Sequence, residues 1–210
     1  SIQNPHLLGI SRDFRKAHDK IIFHKNISNS LKEFTGEDDH IHFQSMFFDK
    51  STGTQLHQDT WYLDTNPRGK LVDIWIALEK ITLESGPFVV YTNTDNCRVE
   101  PDLYNFKDLD NDIRFAKDYP NSTKYRFLAE KGDILIWDSF SIHGADQPIH
   151  PNFTRKSITS HFYPKKYLAN EPPVKRIFSI YNHKKPLKTE NNFISKAATV
   201  NPYFYSILCI

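Results

Sequence analysis

His57 and Asp59, two residues apart in Thr54-Gln55-Leu56-His57-Gln58-Asp59-Thr60-Trp61-Tyr62, constrain the fold of this chain more than any other stretch. On a β-strand alternate side chains share a face, so this pair points one way while Gln58 points the other. An imidazole and a carboxylate side by side can grip one divalent ion if a third ligand arrives from elsewhere in the chain. The fold must therefore bring together strands that lie far apart in sequence. The best-placed third ligand is His143, in Asp138-Ser139-Phe140-Ser141-Ile142-His143-Gly144, just after the apolar run Ile134-Leu135-Ile136-Trp137. A His-x-Asp pair alone is weak, because chance and hydrogen-bonded core histidines produce it often.

Two histidines and one carboxylate on one face of an octahedral ion leave three open positions, the pattern of non-heme Fe(II) oxygenases. A second stretch adds weight to that reading. Phe153-Thr154-Arg155-Lys156-Ser157-Ile158-Thr159-Ser160-His161-Phe162 alternates as a strand, with Arg155, Ser157, Thr159 and His161 on one face. If that face looks into a barrel, Arg155 is a buried cation that needs an anion. Its guanidinium fork fits a carboxylate, and Ser157 adds a hydroxyl on the same side. Charge counting then favours a dicarboxylate co-substrate. Fe(II) with Asp59 keeps one positive charge, a dianion such as 2-oxoglutarate reverses it, and Arg155 restores neutrality.

His57-Gln58-Asp59-Thr60-Trp61-Tyr62-Leu63, Asp73-Ile74-Trp75-Ile76-Ala77-Leu78-Glu79, Glu84-Ser85-Gly86-Pro87-Phe88-Val89-Val90, Gly132-Asp133-Ile134 through His143-Gly144, and Arg155-Lys156-Ser157 occur in that order. As an ordered set they resemble the phytanoyl-CoA dioxygenase family, collinearly from about Gln44 to Phe162. The resemblance implies an all-β core with flanking helices, a double-stranded β-helix or jelly roll, and Fe(II)/2-oxoglutarate-dependent hydroxylation with O2. It implies iron ligation by His57, Asp59 and His143, and capture of the distal 2-oxoglutarate carboxylate by Arg155 and Ser157. Gln44 and Trp75 are placed beside the co-substrate.

A chain of 210 residues suffices for one domain with a proper core. The aromatic content, 16 Phe, 10 Tyr and 3 Trp, suits a β-rich fold with large core side chains. A net charge of +2 gives no reason to expect nucleic acid or a membrane as partner, and the short Lys165-Lys166 and Lys184-Lys185 pairs do not change that. Cys97 and Cys209 form no CxxC motif, which argues against zinc and a disulfide framework. No apolar run approaches a membrane span and no signal peptide is visible, so the expectation is a cytoplasmic protein acting on a small molecule.

Residues 1–210 are read as a single domain with a jelly-roll core over 41–163, a lid insert over 97–123 and a C-terminal extension over 164–210. Phe14 to His18 reads as helical, and a second helix is capped by Ser28 or Asn29 and stopped by Gly36. His6, His18, His24 and His40 are expected to be solvated. His42, Gln44 and Met46 are expected to share one face of the strand over Ile41 to Phe48, with Met46 lining the cavity. Trp61, two residues beyond Asp59, is expected to wall the substrate pocket if the strand continues. Tyr91-Thr92-Asn93-Thr94-Asp95-Asn96 departs from the Pro-Gly-Ser-His-like turn of the look-alikes, which places Asn93 at the cavity mouth. Asp146, just past His143, is expected to meet substrate or support the metal ligands.

The presence of Asp59 argues for hydroxylation over halogenation, since related halogenases carry a small residue there. Desaturation or cyclisation uses the same ligands. The rival class is a non-catalytic jelly-roll binding module with relic ligands. His161 stands where RNA and DNA demethylases carry a second arginine, six residues after the first, and Arg155 stands in place of the lysine anchor of many protein hydroxylases.

Overall fold

The computed structural model describes residues 2–3, 12–94, 119–169 and 207–209. Along its central strands Val72, Ile74 and Ile76 alternate with Asp73, Trp75 and Ala77, and Ile134 and Ile136 alternate with Leu135 and Trp137, and this period of two gives the sheet an inner and an outer face. The larger sheet runs β1 (Ile2–Gln3), β2 (His40–Phe48), β9 (Ser157–Pro164), β4 (Val72–Ala77), β7 (Asp133–Asp138) and β11 (Ile207–Cys209). The smaller runs β6 (Lys124–Phe127), β5 (Phe88–Tyr91) and β8 (His143–Ala145), and β3 (Thr65–Asn66) pairs with β10 (Leu168–Ala169). Every pairing of these strands is antiparallel. The architecture is the double-stranded β-helix expected from the sequence.

The two faces of the larger sheet do different work. On the outside, Ile74, Ile136, Ile158 and Phe162 pack against Ile22, Ile27 and Leu31 of two helices, α1 (Arg12–Ile22) and α2 (Lys25–Thr35). On the inside, Trp75, Leu135 and Trp137 meet Phe88, Val90 and Phe127 from the smaller sheet. Inner residues form rows across the strands. Trp137, Asp73, His161 and Gln44 make one row, and Leu135, Trp75, Thr159 and Met46 the next.

Several local expectations are corrected. α2 begins at Lys25, with His24 rather than Ser28 or Asn29 as its cap, because the His24 ring accepts the Asn26 N–H at 3.3 Å. Gly36 does stop it, in the left-handed conformation (φ 74°) that glycine adopts without strain. His42 does not share a face with Gln44 and Met46. A register shift between His42 and Gln44 turns His42 outward onto Phe162 and Phe23, while Gln44 and Met46 line the interior. His18 and His40 are buried, not solvated. His18 Nε2 and His42 Nε2 lie 3.0 and 2.8 Å from Ser45 Oγ, and His40 Nε2 lies 2.8 Å from Thr35 Oγ1, so hydrogen bonding offsets the cost of burying the rings.

Of the 97–123 insert only 119–123 falls among the described residues, and most of the 164–210 extension also lies outside them. Among the described residues no helix is long and apolar enough to cross a membrane.

Because Leu31 packs on the face of the sheet opposite the cavity, Leu31→Ala should lower stability by about 2–5 kcal/mol in chemical denaturation. Divalent-metal affinity of the folded fraction should stay unchanged. A loss of metal binding in protein that remains folded would contradict this separation of the two faces.

Candidate metal and co-substrate site

His143 opens β8, directly across β5 from Val90, so the smaller sheet fixes its backbone. His57 joins the same sheet through one bridge. Its N–H donates to His143 O at 2.9 Å, and His143 N–H donates back to His57 O at 3.0 Å. This close pairing needs Gly144, where a Cβ would lie 2.6 Å from Thr54 O. Asp59 is not on a strand. It opens a one-turn 3₁₀ helix, Asp59–Trp61, that swings its carboxylate to the imidazoles. His57 and Asp59 therefore converge as expected, but through a turn rather than through strand alternation.

Both candidate ligand histidines are set in the same tautomer. His57 Nδ1 lies 2.7 Å from Gln55 O and His143 Nδ1 lies 3.0 Å from Ser141 O. A carbonyl only accepts, so each Nδ1 carries the proton and each Nε2 presents a lone pair. Those Nε2 atoms stand 3.6 and 3.3 Å from the Asp59 oxygens, and the three ligand atoms lie within 4.8 Å of one another. Phe88 stacks on the His143 ring at 5.5 Å and 10°, and Trp137 packs against both rings, 4.9 Å from His143 and 4.8 Å from Phe88.

The charge states suit a cation. Burial works to raise the Asp59 carboxyl, but the neighbouring His143, His161 and His57 hold it well below the usual range. Burial pushes the His143 imidazole down to about 4 against the attraction of Asp59. His57 goes the other way. Burial lowers it, but the hydrogen bond and charge of Asp59 and the Gln55 carbonyl outweigh that and leave it raised. The difference is consistent with exposure, since the His57 side chain is 17% exposed and that of His143 5%.

The same cavity, about 350 Å³, reaches Arg155. Arg155 is 2% exposed, and its Nε and Nη1 have no hydrogen-bond partner. Its guanidinium sits 5.5 Å from the Phe48 ring and 5.8 Å from that of Trp75. Burial lowers its pKa to about 10, so it remains a cation at neutral pH. A buried cation with unused donors, facing a cavity, fits a carboxylate-bearing guest.

Gln44, Met46 and Trp75 line this cavity as expected, and Trp75 Nε1 has no partner either. Ser157 is buried outside the lining, and its hydroxyl donates to Arg155 O at 3.5 Å. It therefore supports the backbone of Arg155. Trp61, Asn93 and Asp146 are not in the lining. Trp61 follows the turn away and packs with Val89, Tyr91 and Ile142. Asn93 donates to Asn121 O at 2.8 Å, and Asp146 pairs with Arg126 at 2.5 Å and Lys124 at 3.5 Å. Tyr62, 66% exposed, lies at the cavity instead of Trp61, with Thr52 and Thr54. His161 and Asp73 were missed as neighbours of Asp59. The signal for both was the inward face they share with Thr159 and Trp75.

A family model described as Phytanoyl-CoA dioxygenase (PhyH) matches residues 6–156. The chain belongs to the phytanoyl-CoA dioxygenase family. The peroxisomal phytanoyl-CoA dioxygenases of Bos taurus and Homo sapiens are 31% and 30% identical to it over 116 residues. The match covers 54% of this chain and 34% of each enzyme, so the chain spans about a third of their length. EctD from S. alaskensis, solved with 2-oxoglutarate and 5-hydroxyectoine, superposes on 90% of this family member and 66% of its own chain (TM-score 0.67, 16% identity). The non-heme alpha ketoglutarate dependent carbocyclase SnoK from nogalamycin biosynthesis superposes on 90%, covering 72% of its own chain (TM-score 0.62, 16% identity). At that identity both likenesses concern the fold.

A metal ion and a proton compete for His57 Nε2. Since His57 titrates above the ordinary value of 6.5, Co(II) affinity should begin to fall above that pH on acidification. The expected slope is about tenfold per pH unit for one proton, measured by equilibrium titration. Affinity flat between pH 8 and pH 5 would exclude His57 as a ligand.

Proposed function

We propose that this chain is an Fe(II)- and 2-oxoglutarate-dependent oxygenase that hydroxylates an unactivated C–H bond of a small molecule. The observation that carries the reading is Arg155. It is a fully buried guanidinium with unused donors, in the same cavity as two imidazole Nε2 atoms and an ionised carboxylate. His57, Asp59 and His143 would hold Fe(II) from one side and leave its other positions to co-substrate and O2. Arg155 would hold the far carboxylate of 2-oxoglutarate, with Trp75 Nε1 and Gln44 on the same wall.

When bound, the iron and 2-oxoglutarate supply the activation of O2, giving succinate, CO2 and one oxygen atom for the C–H bond. The protein supplies position. The two Nδ1–H···O=C bonds keep the imidazoles aimed, Phe88 and Trp137 exclude water around His143, and Arg155 fixes the co-substrate by charge and shape. The remaining wall, with Met46, Tyr62, Leu63, Thr52 and Thr54, offers apolar contacts and hydroxyls to a substrate. No ionised side chain other than Asp59 and Arg155 lines the described part of the cavity, which favours an uncharged target segment.

Anaerobic addition of Fe(II) and 2-oxoglutarate should produce a weak visible charge-transfer band, absent in His57→Ala, with succinate released once O2 is admitted. Wild type without the band would favour the inert binding module. Arg155→Met should weaken 2-oxoglutarate binding about a hundredfold, roughly 3 kcal/mol, with Arg155→Lys in between. Unchanged 2-oxoglutarate affinity in Arg155→Met would refute the assignment of the anchor.

A further inference from the structure

Asp73 is 0% exposed, on the inner face of β4, with the Asp59 carboxyl and the His161 ring as its polar neighbours. It lies beside Asp59 among apolar strands, an arrangement the proposed chemistry does not use. Its place in the sheet suggests what it is for. Asp73 is the cross-strand neighbour of Trp137 on β7 and of His161 on β9. The three side chains project inward as one row, and that row meets the carboxylate of Asp59. Trp137 Nε1 donates to Asp59 Oδ2 at 3.0 Å. His161 Nε2 stands between the two acids, 3.7 Å from Asp59 Oδ1 and 3.5 Å from Asp73 Oδ1.

This row supplies what the local backbone of Asp59 lacks. His57 and His143 are pinned to each other by two backbone hydrogen bonds and to carbonyls through Nδ1. Asp59 opens a three-residue turn with no strand partner, so nothing local prevents its carboxylate from rotating. Each oxygen meets one ligand imidazole on the cavity side, His57 at Oδ1 and His143 at Oδ2. Each also meets one nitrogen from the larger sheet, His161 at Oδ1 and Trp137 at Oδ2. The Trp137 indole packs against both Phe88 and the His143 ring, which hold it in place. The His161 ring needs further support, because its Nδ1 is buried without a partner and gives it no second anchor. Asp73 is the group that can fix where His161 points.

We propose that Asp73 is a positioning residue that acts through His161 to hold the Asp59 carboxylate in its metal-binding orientation. The inference rests on the metal-site reading above. Outer partners of metal ligands commonly tune affinity by about ten- to a hundredfold.

The test uses the full chain with Mn(II) as probe and Co(II) as a spectroscopic reporter of coordination. Asp73→Asn and His161→Leu should each weaken Mn(II) binding about tenfold or more and change the visible spectrum of the Co(II) form. Affinity for 2-oxoglutarate at saturating metal should hold, since Arg155 is untouched. His161→Gln, which keeps an N–H near the Nε2 position, should recover part of the loss, and this pair keeps the test decisive if Asp73→Asn folds poorly. Because Asp73 acts through His161, adding Asp73→Asn to His161→Leu should cost nothing further. Additive losses, or Mn(II) affinity in Asp73→Asn equal to wild type, would overturn the proposal. So would two Mn(II) per wild-type chain falling to one in Asp73→Asn, which would make Asp59, Asp73 and His161 a second cation site. Wild type that binds no Mn(II) ends the metal-site reading as well; wild type that binds while the variants match it ends this one alone.

Discussion

The carboxylate of Asp59 is the point on which the structure depends. It is 5% exposed, has three imidazole Nε2 atoms within 3.7 Å and accepts an indole N–H. An ionised acid in such a place is costly unless a cation shares it. Across the cavity Arg155 poses the complementary problem, a buried cation with unused donors and no acid partner among the described residues. Two unbalanced charges of opposite sign, lining one cavity yet unpaired with each other, are what the proposed divalent ion and dianion would balance.

The β-helix makes this possible at low sequence cost. Residues 57 and 143 become neighbours because the smaller sheet extends past β8 to the bridge at His57, and Gly144 lets the two backbones meet. Arg155 precedes β9, whose inner face then delivers Thr159 to the cavity and His161 to Asp59. The outer face of the same strands carries the helices, so stability and site are built from alternate residues of β4, β7 and β9. A substitution at one register position affects packing on α2, and one at the next affects the cavity.

Much of this was legible from the sequence, for identifiable reasons. His143 and Arg155 stand out because each flanks a strand whose alternation is clear, His143 after β7 and Arg155 just before β9, which begins at Ser157 rather than at Phe153. Strand alternation pairs Asp59 with His57 for the wrong reason, because a 3₁₀ turn stands where a strand is expected. The same assumption sent Trp61 to the pocket, whereas the turn carries it to Val89 and Ile142 and puts Tyr62 at the mouth. A bulge at residues 42–44 was equally invisible, because one inserted residue leaves no compositional mark yet changes which side chains face inward. Asp73 and His161 were the opposite case. Alternation already placed them inward, but a lone acid in an apolar strand has no meaning until the row it belongs to is known.

The most direct measurement of the central claim is an iron-edge anomalous difference map from crystals grown without oxygen in Fe(II) and 2-oxoglutarate. The account predicts one strong peak at bonding distance from His57 Nε2, His143 Nε2 and an oxygen of Asp59, with the guanidinium of Arg155 forked onto the far carboxylate. A peak that leaves out any of the three, or a 2-oxoglutarate bound without Arg155, would contradict it.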